Sequence, residues 1–203
     1  MQSKLTLRPD ITYNWLYPWV VWDNLLNEND LSRIEEYCIQ QGVEPAKIFG
    51  KDNINVVNDA LRSTNVKMHF PTDDTYWFFE KFLSVTEHIN AQCFNFELLG
   101  FDQFQYAEYV PPNGNYNAHM DMMLGEHILT IPRKLSFSLC LSDPSEYEGG
   151  ELEFLIDGTG YQKVEQCRGR IVAFPSFIMH RVTPVTSGKR KSIVFWANGP
   201  KFR

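Results

Sequence analysis

Residues 109–121 read Tyr-Val-Pro-Pro-Asn-Gly-Asn-Tyr-Asn-Ala-His-Met-Asp, and this stretch ends in a His-x-Asp pair. On an extended strand, residues two apart point to the same face, so His119 and Asp121 would direct an imidazole and a carboxylate at one point in space. A divalent metal needs such a pair and at least one more ligand. Non-haem Fe(II) is typically held by two histidines and one carboxylate on one face, with the other positions open. The stretch therefore predicts part of a metal site.

The second histidine of the predicted site is His180, in Phe-Pro-Ser-Phe-Ile-Met-His-Arg-Val-Thr-Pro at 174–184. It follows His119 by about sixty residues, as expected when two ligands come from different strands of one barrel. By itself, a histidine on an apolar strand is more often a hydrogen-bonded core residue. The combination with His-x-Asp, in this order, makes metal binding the stronger interpretation.

A basic residue precedes an apolar strand farther along the chain. Arg190 comes before Lys-Ser-Ile-Val-Phe-Trp-Ala at 191–197 and shares parity with Trp196, so both side chains would point to one side of the sheet. If that side faces a cavity, the arginine needs an anionic partner, because an unpaired buried charge is very costly. A carboxylate that accepts two parallel hydrogen bonds is the natural partner.

The strand at 135–142 predicts one wall of that cavity. Its side chains alternate, with Leu135, Phe137, Leu139 and Leu141 on one face and Ser136, Ser138, Cys140 and Ser142 on the other. Small side chains leave room for a bound molecule. We therefore expect the small face to line the ligand cavity and the apolar face to pack under helices.

The remaining pattern predicts a mainly β protein with helices ahead of the strands (α+β). Cap-type residues and an apolar stripe predict a helix over 30–41, and Pro-Thr-Asp-Asp at 71–74 begins a second one that reaches Ile89. Residues 13–26 have the loose alternation of an extended segment, and the polar stretch 44–59 is typical of a long loop. Short strands separated by turn clusters then predict a sandwich or barrel. These strands lie at 97–109, 135–142, 151–155, 169–174, 177–183 and 191–198.

The chain shows no repeat and no linker that would divide it. Its 203 residues suit one domain with a sizeable core. We expect a single domain over 1–203, with a helical support part over about 1–95 and a barrel core over about 96–200.

The composition argues against nucleic-acid and membrane partners. A formal charge of −6 and a pI near 5.4 give no general affinity for phosphate backbones or anionic lipids. Residues 1–10 lack the apolar core of a signal peptide, and no apolar run could span a bilayer, so we expect a cytoplasmic protein. The cysteines, Cys38, Cys93, Cys140 and Cys167, are far apart and are expected to be reduced thiols. The oligomeric state is left open.

These residues together resemble a known family, the Fe(II)/2-oxoglutarate-dependent dioxygenases, and in particular their prolyl 4-hydroxylase-like branch. The resemblance covers about residues 97–198, and Arg62-Ser63 resembles the Arg-Ser step found ahead of the barrel in that family. The matching positions are Tyr109, Gly114, Tyr116, His119, Asp121, Arg133, Phe174, Pro175, His180, Pro184, Arg190 and Trp196.

The resemblance implies a double-stranded β-helix (jelly-roll) barrel flanked by helices. In that family's arrangement, His119, Asp121 and His180 would be the catalytic Fe(II) ligands, and Arg190 would pair with the far carboxylate of 2-oxoglutarate. Tyr109, near the pocket mouth, would donate a hydrogen bond to this cosubstrate. O2 would be consumed, succinate and CO2 released, and ascorbate is commonly used in the family to keep the iron reduced. The carboxylate of Asp121 favours hydroxylation, because related halogenases lack it.

The resemblance also suggests a substrate side and two departures. Arg133 and Trp196 would lie toward the substrate, with the loop at 44–62 as a lid. An exposed arginine and indole could hold an extended peptide, with a proline ring stacked on the indole; the alternative is that Arg133 only caps a strand and Trp196 is core. Many prolyl 4-hydroxylases have lysine where this chain has Arg190. Cys140 stands where the family often has a tyrosine, which leaves that cosubstrate contact open.

The function expected from the resemblance is hydroxylation of a peptide, at proline. Two alternatives remain. One is the same chemistry on a free amino acid or on another protein side chain. The other is a jelly-roll protein that binds a metal and a ligand without turnover. Arg190 and the complete triad argue against the last, because a binding barrel has no need for both.

Overall fold

A computed structural model of the chain describes residues 17–49, 55–122, 131–156, 158 and 160–201. Helices α1 and α2 comprise Glu28–Gln41 and Tyr76–Ile89. The strands, β1 to β15 in chain order, are Val20–Trp22, Glu44–Pro45, Ile48–Phe49, Asn55–Val56, Arg62–Ser63, Asn65–His69, Phe104–Tyr109, Gly114–His119, Arg133–Cys140, Tyr147–Gly149, Leu152–Leu155, Tyr161–Lys163, Ile171–Pro175, His180–Gly188 and Arg190–Asn198.

Both predicted helices are present, with shifted ends. Helix α1 begins after Asn27, whose side chain accepts a hydrogen bond from the Asp30 amide at 2.9 Å. The Asp30 carboxylate accepts one from the Asn27 amide in return, which closes a capping box. Helix α2 begins only at Tyr76, because residues 72–75 form a turn in which the Thr75 amide donates to the Thr72 carbonyl. A π-helical turn over Asn90–Phe94, which the sequence pattern did not predict, extends α2.

Thirteen of the strands form two antiparallel sheets, and β3 and β4 form a separate two-stranded sheet. The larger has seven strands in the order β1-β13-β9-β15-β7-β6-β2. The smaller has six, in the order β12-β11-β14-β8-β5, with β10 beside β14. This confirms the predicted mainly β jelly-roll with two helices ahead of it. Strands β1, β2 and β6 come from the first 95 residues and belong to the larger sheet, so the expected helical support part also supplies part of the barrel.

Two apolar cores lie on opposite faces of the larger sheet. One packs helix residues such as Ile34 and Phe82 against Phe137, Leu139 and Phe195 of the sheet. This confirms that the apolar face of the strand at 135–142 lies under the helices. The second core lies between the two sheets and contains Ala107, Tyr109, Leu152, Phe154, Val164, Val172, Phe174, Val182 and Val185.

Several predicted strands are shorter than expected or begin elsewhere. The strand expected at 177–183 begins only at His180, because Ile178 donates to the Pro175 carbonyl in a turn. The strand expected at 97–109 is regular only from Phe104, although Gly100 bridges to Asn198. The extended segment expected at 13–26 contains the short strand β1, and its first residues, 13–16, lie outside the described residues.

The stretch 44–59 is not a plain loop, which corrects the expectation. Strand β2 pairs with β6, and β3 pairs with β4 across residues 50–54, which lie outside the described residues. All four cysteines are free thiols, as expected. Among the residues that the structure describes, no helix is long and apolar enough to cross a membrane.

Candidate active site

One cavity of about 340 Å³ opens between the two sheets. All seven residues singled out in the sequence line it: Tyr109, His119, Asp121, Arg133, His180, Arg190 and Trp196. Its other lining residues are Lys47, Ile48, Arg62, Met68, Gln105, Tyr116, Met120, Ser138, Leu152, Phe174, Val182, Ser192 and Val194. The structure therefore brings the whole predicted set together; the roles assigned to these residues stay predictions.

His119, Asp121 and His180 meet at one point of this cavity. Their ligand atoms all lie within 4.8 Å of one another. Nε2 of His119 is 3.6 Å from Oδ1 of Asp121, and Nε2 of His180 is 3.7 Å from Oδ2. The sequence pattern placed Asp121 on the same strand as His119. Strand β8 ends at His119, so that expectation is corrected. Asp121 lies just beyond the strand, where the Met122 amide donates to the Ser176 carbonyl and holds this segment against the barrel.

Backbone carbonyls fix the protonation of both imidazoles. Nδ1 of His119 lies 2.8 Å from the Asn117 carbonyl, and Nδ1 of His180 lies 3.0 Å from the Ile178 carbonyl. A carbonyl oxygen can only accept, so each Nδ1 carries the proton and donates it. Each Nε2 then presents a lone pair toward Asp121. This arrangement is the usual one for histidines that bind a metal.

The three groups fit a divalent cation. Two lone pairs and a carboxylate face one another, and Oδ2 of Asp121 is buried without a hydrogen-bond partner among the described residues. Burial by itself would raise the pKa of Asp121, but His180 and His119 outweigh it and hold that pKa well below its usual range. Burial lowers the pKa of His180, against the opposing effect of Asp121, and so favours the neutral ring that a metal requires. Two histidines and one carboxylate are the donor set expected for Fe(II).

Arg190 lies in the wall of the same cavity and is only 1% exposed. One of its Nη atoms donates to Ser192 Oγ at 3.1 Å, while its Nε has no partner among the described residues. Tyr109 is its cross-strand partner, and the guanidinium carbon lies 5.1 Å from the centre of the Tyr109 ring. Tyr109 is 3% exposed, which corrects the expectation that it stands near the mouth. The pair forms a buried cationic corner.

Only one of the four small residues predicted to line the cavity, Ser138, is among its lining residues. Ser136 hydrogen-bonds to Ser176 at 2.8 Å, and Ser142 donates to the Lys189 carbonyl at 3.1 Å, so their hydroxyls hold strand ends together. The Cys140 thiol donates to the Ser142 carbonyl at 3.3 Å. The alternation correctly predicted which face of this strand is turned toward the cavity. It was wrong in assigning all four small residues to the cavity lining.

Tyr147 is a residue near the site that the sequence reasoning missed. Burial, with the neighbouring Cys140, raises the pKa of Tyr147 to about 12, while the Arg190 charge acts in the opposite direction, and both side chains border Gly150. It therefore reaches the cationic corner from β10, on the smaller sheet. Its sequence context, Ser-Glu-Tyr-Glu-Gly-Gly, looks like an exposed turn and contains no signal that would have singled it out.

On the substrate side the structure corrects a second expectation. Trp196 is 8% exposed rather than open to solvent, because the Arg133 guanidinium covers its indole at 3.8 Å. Arg62, which the sequence reasoning mentioned only as part of an Arg-Ser step, lies 4.3 Å over the Tyr116 ring. Tyr116 in turn stacks on His119 with ring centres 3.5 Å apart.

The 44–62 segment contributes Lys47, Ile48 and Arg62 to the cavity. These contacts place both ends of the segment beside the cavity, but residues 50–54 lie outside the described part of the chain. The lid expected here stays a prediction.

Comparison with known proteins agrees with the Fe(II) site that the geometry indicates. Residues 104–198 match the family described as the 2OG-Fe(II) oxygenase superfamily. A PKHD-type hydroxylase of Acidovorax ebreus (strain TPSY) is 44% identical over 88 residues, which are 41% of this chain and 37% of that relative. The chain therefore matches little more than a third of the length of this relative.

Two solved structures show the same fold. A prolyl-4-hydroxylase of Pseudomonas putida is similar with a TM-score of 0.70 and 21% identity, over 91% of this chain and 94% of that one. A prolyl hydroxylase of Trichoplax adhaerens, in complex with a hypoxia inducible factor oxygen degradation domain peptide fragment, has a TM-score of 0.70 and 15% identity, over 89% and 83%. Residues 104–198 are thus similar to the 2OG-Fe(II) oxygenase superfamily, and the chain has the jelly-roll fold of the prolyl 4-hydroxylase structures.

Proposed function

We propose that this chain is an Fe(II)- and 2-oxoglutarate-dependent dioxygenase that hydroxylates a peptide at a prolyl residue. The observation that carries this proposal is the arrangement of His119, Asp121 and His180 around one point, with the buried cation of Arg190 in the same cavity. A site that only binds a metal does not need that second cation. A dicarboxylate cosubstrate does, because its far carboxylate must be neutralised inside the barrel.

Each residue would have a definite task. His119, Asp121 and His180 would hold Fe(II) through two imidazole nitrogens and one carboxylate, and would leave the opposite side open. Arg190 would receive the far carboxylate of 2-oxoglutarate, and the Tyr109 hydroxyl would donate a hydrogen bond to the same molecule. Fe(II), when bound with 2-oxoglutarate and O2, supplies the oxidation that yields succinate and CO2 and places one oxygen atom in the substrate.

The cavity wall would protect this chemistry from water. Leu152, Phe174, Val182 and Val194 line the same cavity with apolar side chains. Apolar walls strengthen the electrostatic interactions inside and limit the access of solvent to the reacting atoms. The Arg190 charge would therefore hold its carboxylate more strongly than an exposed arginine could.

A peptide substrate is supported by two residues that line the cavity and by the names of similar proteins. Arg133 and Trp196 lie at the cavity beside the metal residues and could contact an extended chain. The matched bacterial relatives are named PKHD-type hydroxylases, and one structural neighbour was solved in complex with a peptide fragment. Because Arg133 covers one face of the indole, a proline ring could stack only on the opposite face or edge of Trp196.

The test combines a spectrum with a product assay. Anaerobic addition of Fe(II) and 2-oxoglutarate should give a visible charge-transfer band. Admission of O2 together with proline-containing peptides should give succinate and a peptide with one added oxygen, which fragmentation mass spectrometry would locate. Ascorbate should be compared with its omission, since a reductant would matter only if the iron becomes oxidised between turnovers.

The outcomes separate the alternatives. Absence of both the band and succinate would leave only the binding function. Succinate with oxygen on a free amino acid, or on a residue other than proline, would keep the reaction class and change the substrate.

A further inference from the structure

Besides Arg190, two arginines at the cavity have no carboxylate within ion-pair distance among the residues that the structure describes. They are Arg62 on β5 and Arg133 at the start of β9. Three arginines outside the cavity form ion pairs with carboxylates at 2.7–2.8 Å. These pairs are Arg168 with Glu28 and Glu35, Arg170 with Asp23, and Arg181 with Glu153. The two cavity arginines instead lie on aromatic rings.

The two guanidiniums are close enough to affect each other. Burial lowers the pKa of Arg133, and the positive charge of Arg62 lowers it further, while Asp121 and Asp102 act in the opposite direction. Asp102 is exposed, and Asp121 faces the two metal histidines. Arg62 is 8% exposed, and its Nε is buried without a hydrogen-bond partner among the described residues. Two like charges in a partly dry site cost free energy that a bound anion would recover.

The charges at the cavity are unbalanced even when the cosubstrate is counted. Within the described part of the chain, the cationic side chains that line the cavity are Lys47, Arg62, Arg133 and Arg190, and the one acidic lining residue is Asp121. An Fe(II) ion with Asp121 has a net charge of +1, and 2-oxoglutarate brings −2, so Arg190 alone brings this set to zero. The positive charges of Lys47, Arg62 and Arg133 remain, in a chain whose formal net charge is −6. This local excess would attract an anionic ligand to the site.

Both guanidiniums are held in place before any ligand arrives. Arg62 lies over Tyr116 at 4.3 Å, and Arg133 lies over Trp196 at 3.8 Å. A guanidinium stacked on a ring keeps its N–H groups directed outward in its own plane, where a carboxylate can accept two of them. The two arginines come from different sheets, so a group bound by both would bridge the opening of the barrel.

We propose that the primary substrate carries a carboxylate, which Arg62 and Arg133 bind together in the cavity. This inference rests on the proposed function, and it further specifies that the substrate has a negative charge near the hydroxylated position. Arg62 stacks on Tyr116, and Tyr116 stacks on His119, so the carboxylate site is one aromatic ring away from a metal-binding histidine. The carboxylate is therefore an acidic side chain within a residue or two of the hydroxylated position, or the terminal carboxylate of the substrate.

The experiment uses matched peptides. One set holds a central proline with Glu at a neighbouring position, a second has Gln there, and a third has a free C-terminal carboxylate or its amide directly after the proline. Binding is measured by fluorescence anisotropy with labelled peptides and the metal-loaded enzyme without O2, and hydroxylation is measured by mass spectrometry. The variants are Arg62→Gln and Arg133→Gln. The control is Arg33→Gln, which removes another ring-stacked arginine, 4.4 Å over Trp77 and outside the cavity.

The acidic peptides should bind roughly 10-fold to 100-fold more tightly than their amide counterparts, the range expected for charge-assisted hydrogen bonds. Arg62→Gln and Arg133→Gln should each abolish most of that preference, while Arg33→Gln should keep it. The KM for 2-oxoglutarate should stay within about two-fold in these variants, since Arg190 is the residue proposed for it. The peptide set that shows the preference identifies the source of the carboxylate.

Equal binding of acidic and amide peptides, or no binding of either, would overturn the carboxylate site. So would a large rise in the KM for 2-oxoglutarate in Arg62→Gln or Arg133→Gln, because these arginines would then serve the cosubstrate. Failure of the proposed function looks different: no mixture would give succinate, whatever the charge of the peptide.

Discussion

His119 and His180 are direct cross-strand partners in the antiparallel pair of β8 and β14. Side chains at such paired positions project from the same face of the sheet, and here the two rings lie with centres 4.2 Å apart. The register shifts between His180 and Val182, so the direct pairing of the two histidines does not continue in the same register along the strands. A slip of one residue would turn one imidazole to the other face and remove the site.

Replacing His180 with Ala should abolish turnover and most metal binding. His180 supplies one of three converging ligand atoms, and changes to mere neighbours of metal ligands already cost about 10–100-fold in affinity. Loss of a ligand should therefore exceed about 100-fold. Binding of Fe(II) or Mn(II), measured by equilibrium dialysis, checks this apart from activity. His88→Ala, at an exposed position on α2, is the control and should bind metal as the wild type does. A His180→Ala variant that keeps full metal affinity would refute the site.

Arg190→Gln should raise the KM for 2-oxoglutarate with a smaller effect on the peptide. Truncating one partner of a buried, hydrogen-bonded charge pair costs about 2 kcal/mol or more, which is roughly 30-fold in affinity. Arg190→Lys should recover part of this, because lysine keeps the charge but not the planar fork. Succinate formation against 2-oxoglutarate concentration provides the measurement. Arg181→Gln removes an arginine that pairs with Glu153 outside the cavity, and an equal effect in that variant would contradict the assignment.

Gly150→Ala should impair both stability and cosubstrate binding. A Cβ at position 150 would lie 2.8 Å from Cδ of Arg190 and 2.8 Å from Cγ2 of Val185, at a φ of +64°. Gly42→Ala is a matched control, because φ is +69° there and no atom lies within 4 Å of the added Cβ. The positive φ disfavours alanine and costs free energy of folding in both variants. Only Gly150→Ala should also raise the KM for 2-oxoglutarate, and similar kinetics for the two variants would show that Gly150 does not position Arg190.

Prediction from the sequence was most accurate for features that depend on a single strand or segment. Alternation along 135–142 predicted which face lies under the helices, and parity along 190–196 predicted that Arg190 and Trp196 share the cavity. The His-x-Asp spacing predicted convergence even though Asp121 lies past the end of its strand. In each case the information is in side-chain direction along a single segment.

The sequence was least informative where two distant segments meet. The burial of Trp196 depends on Arg133 lying over it, and Tyr147 reaches Arg190 from the other sheet. Strands β2 and β3 have two residues each, too few for any periodicity to show. Arg62 became a candidate binding residue only when its stacking on Tyr116, more than fifty positions away, was seen. Long-range pairing of this kind has no local signature.

His69 should make the stability of the fold depend on pH below neutrality. It lies buried on β6, stacked on Phe104 at 4.8 Å, and its Nε2 has no hydrogen-bond partner among the described residues. Burial, with a contribution from Lys67, lowers the pKa of His69 to about 4, against about 6.5 in an unfolded chain. Between these values the unfolded chain binds a proton that the folded protein does not. The stability is therefore complete above about pH 6.5 and falls as the pH approaches 4.

His69→Phe keeps an aromatic ring against Phe104 and removes this titration. The variant should lose less free energy of unfolding than the wild type between about pH 6.5 and about pH 4. Urea unfolding followed by tryptophan fluorescence at several pH values measures it. Both proteins share every other titrating group, so the difference between the two curves isolates His69. Parallel curves over this interval would mean that the imidazole takes up its proton without unfolding, and hence that His69 is not held neutral by its burial.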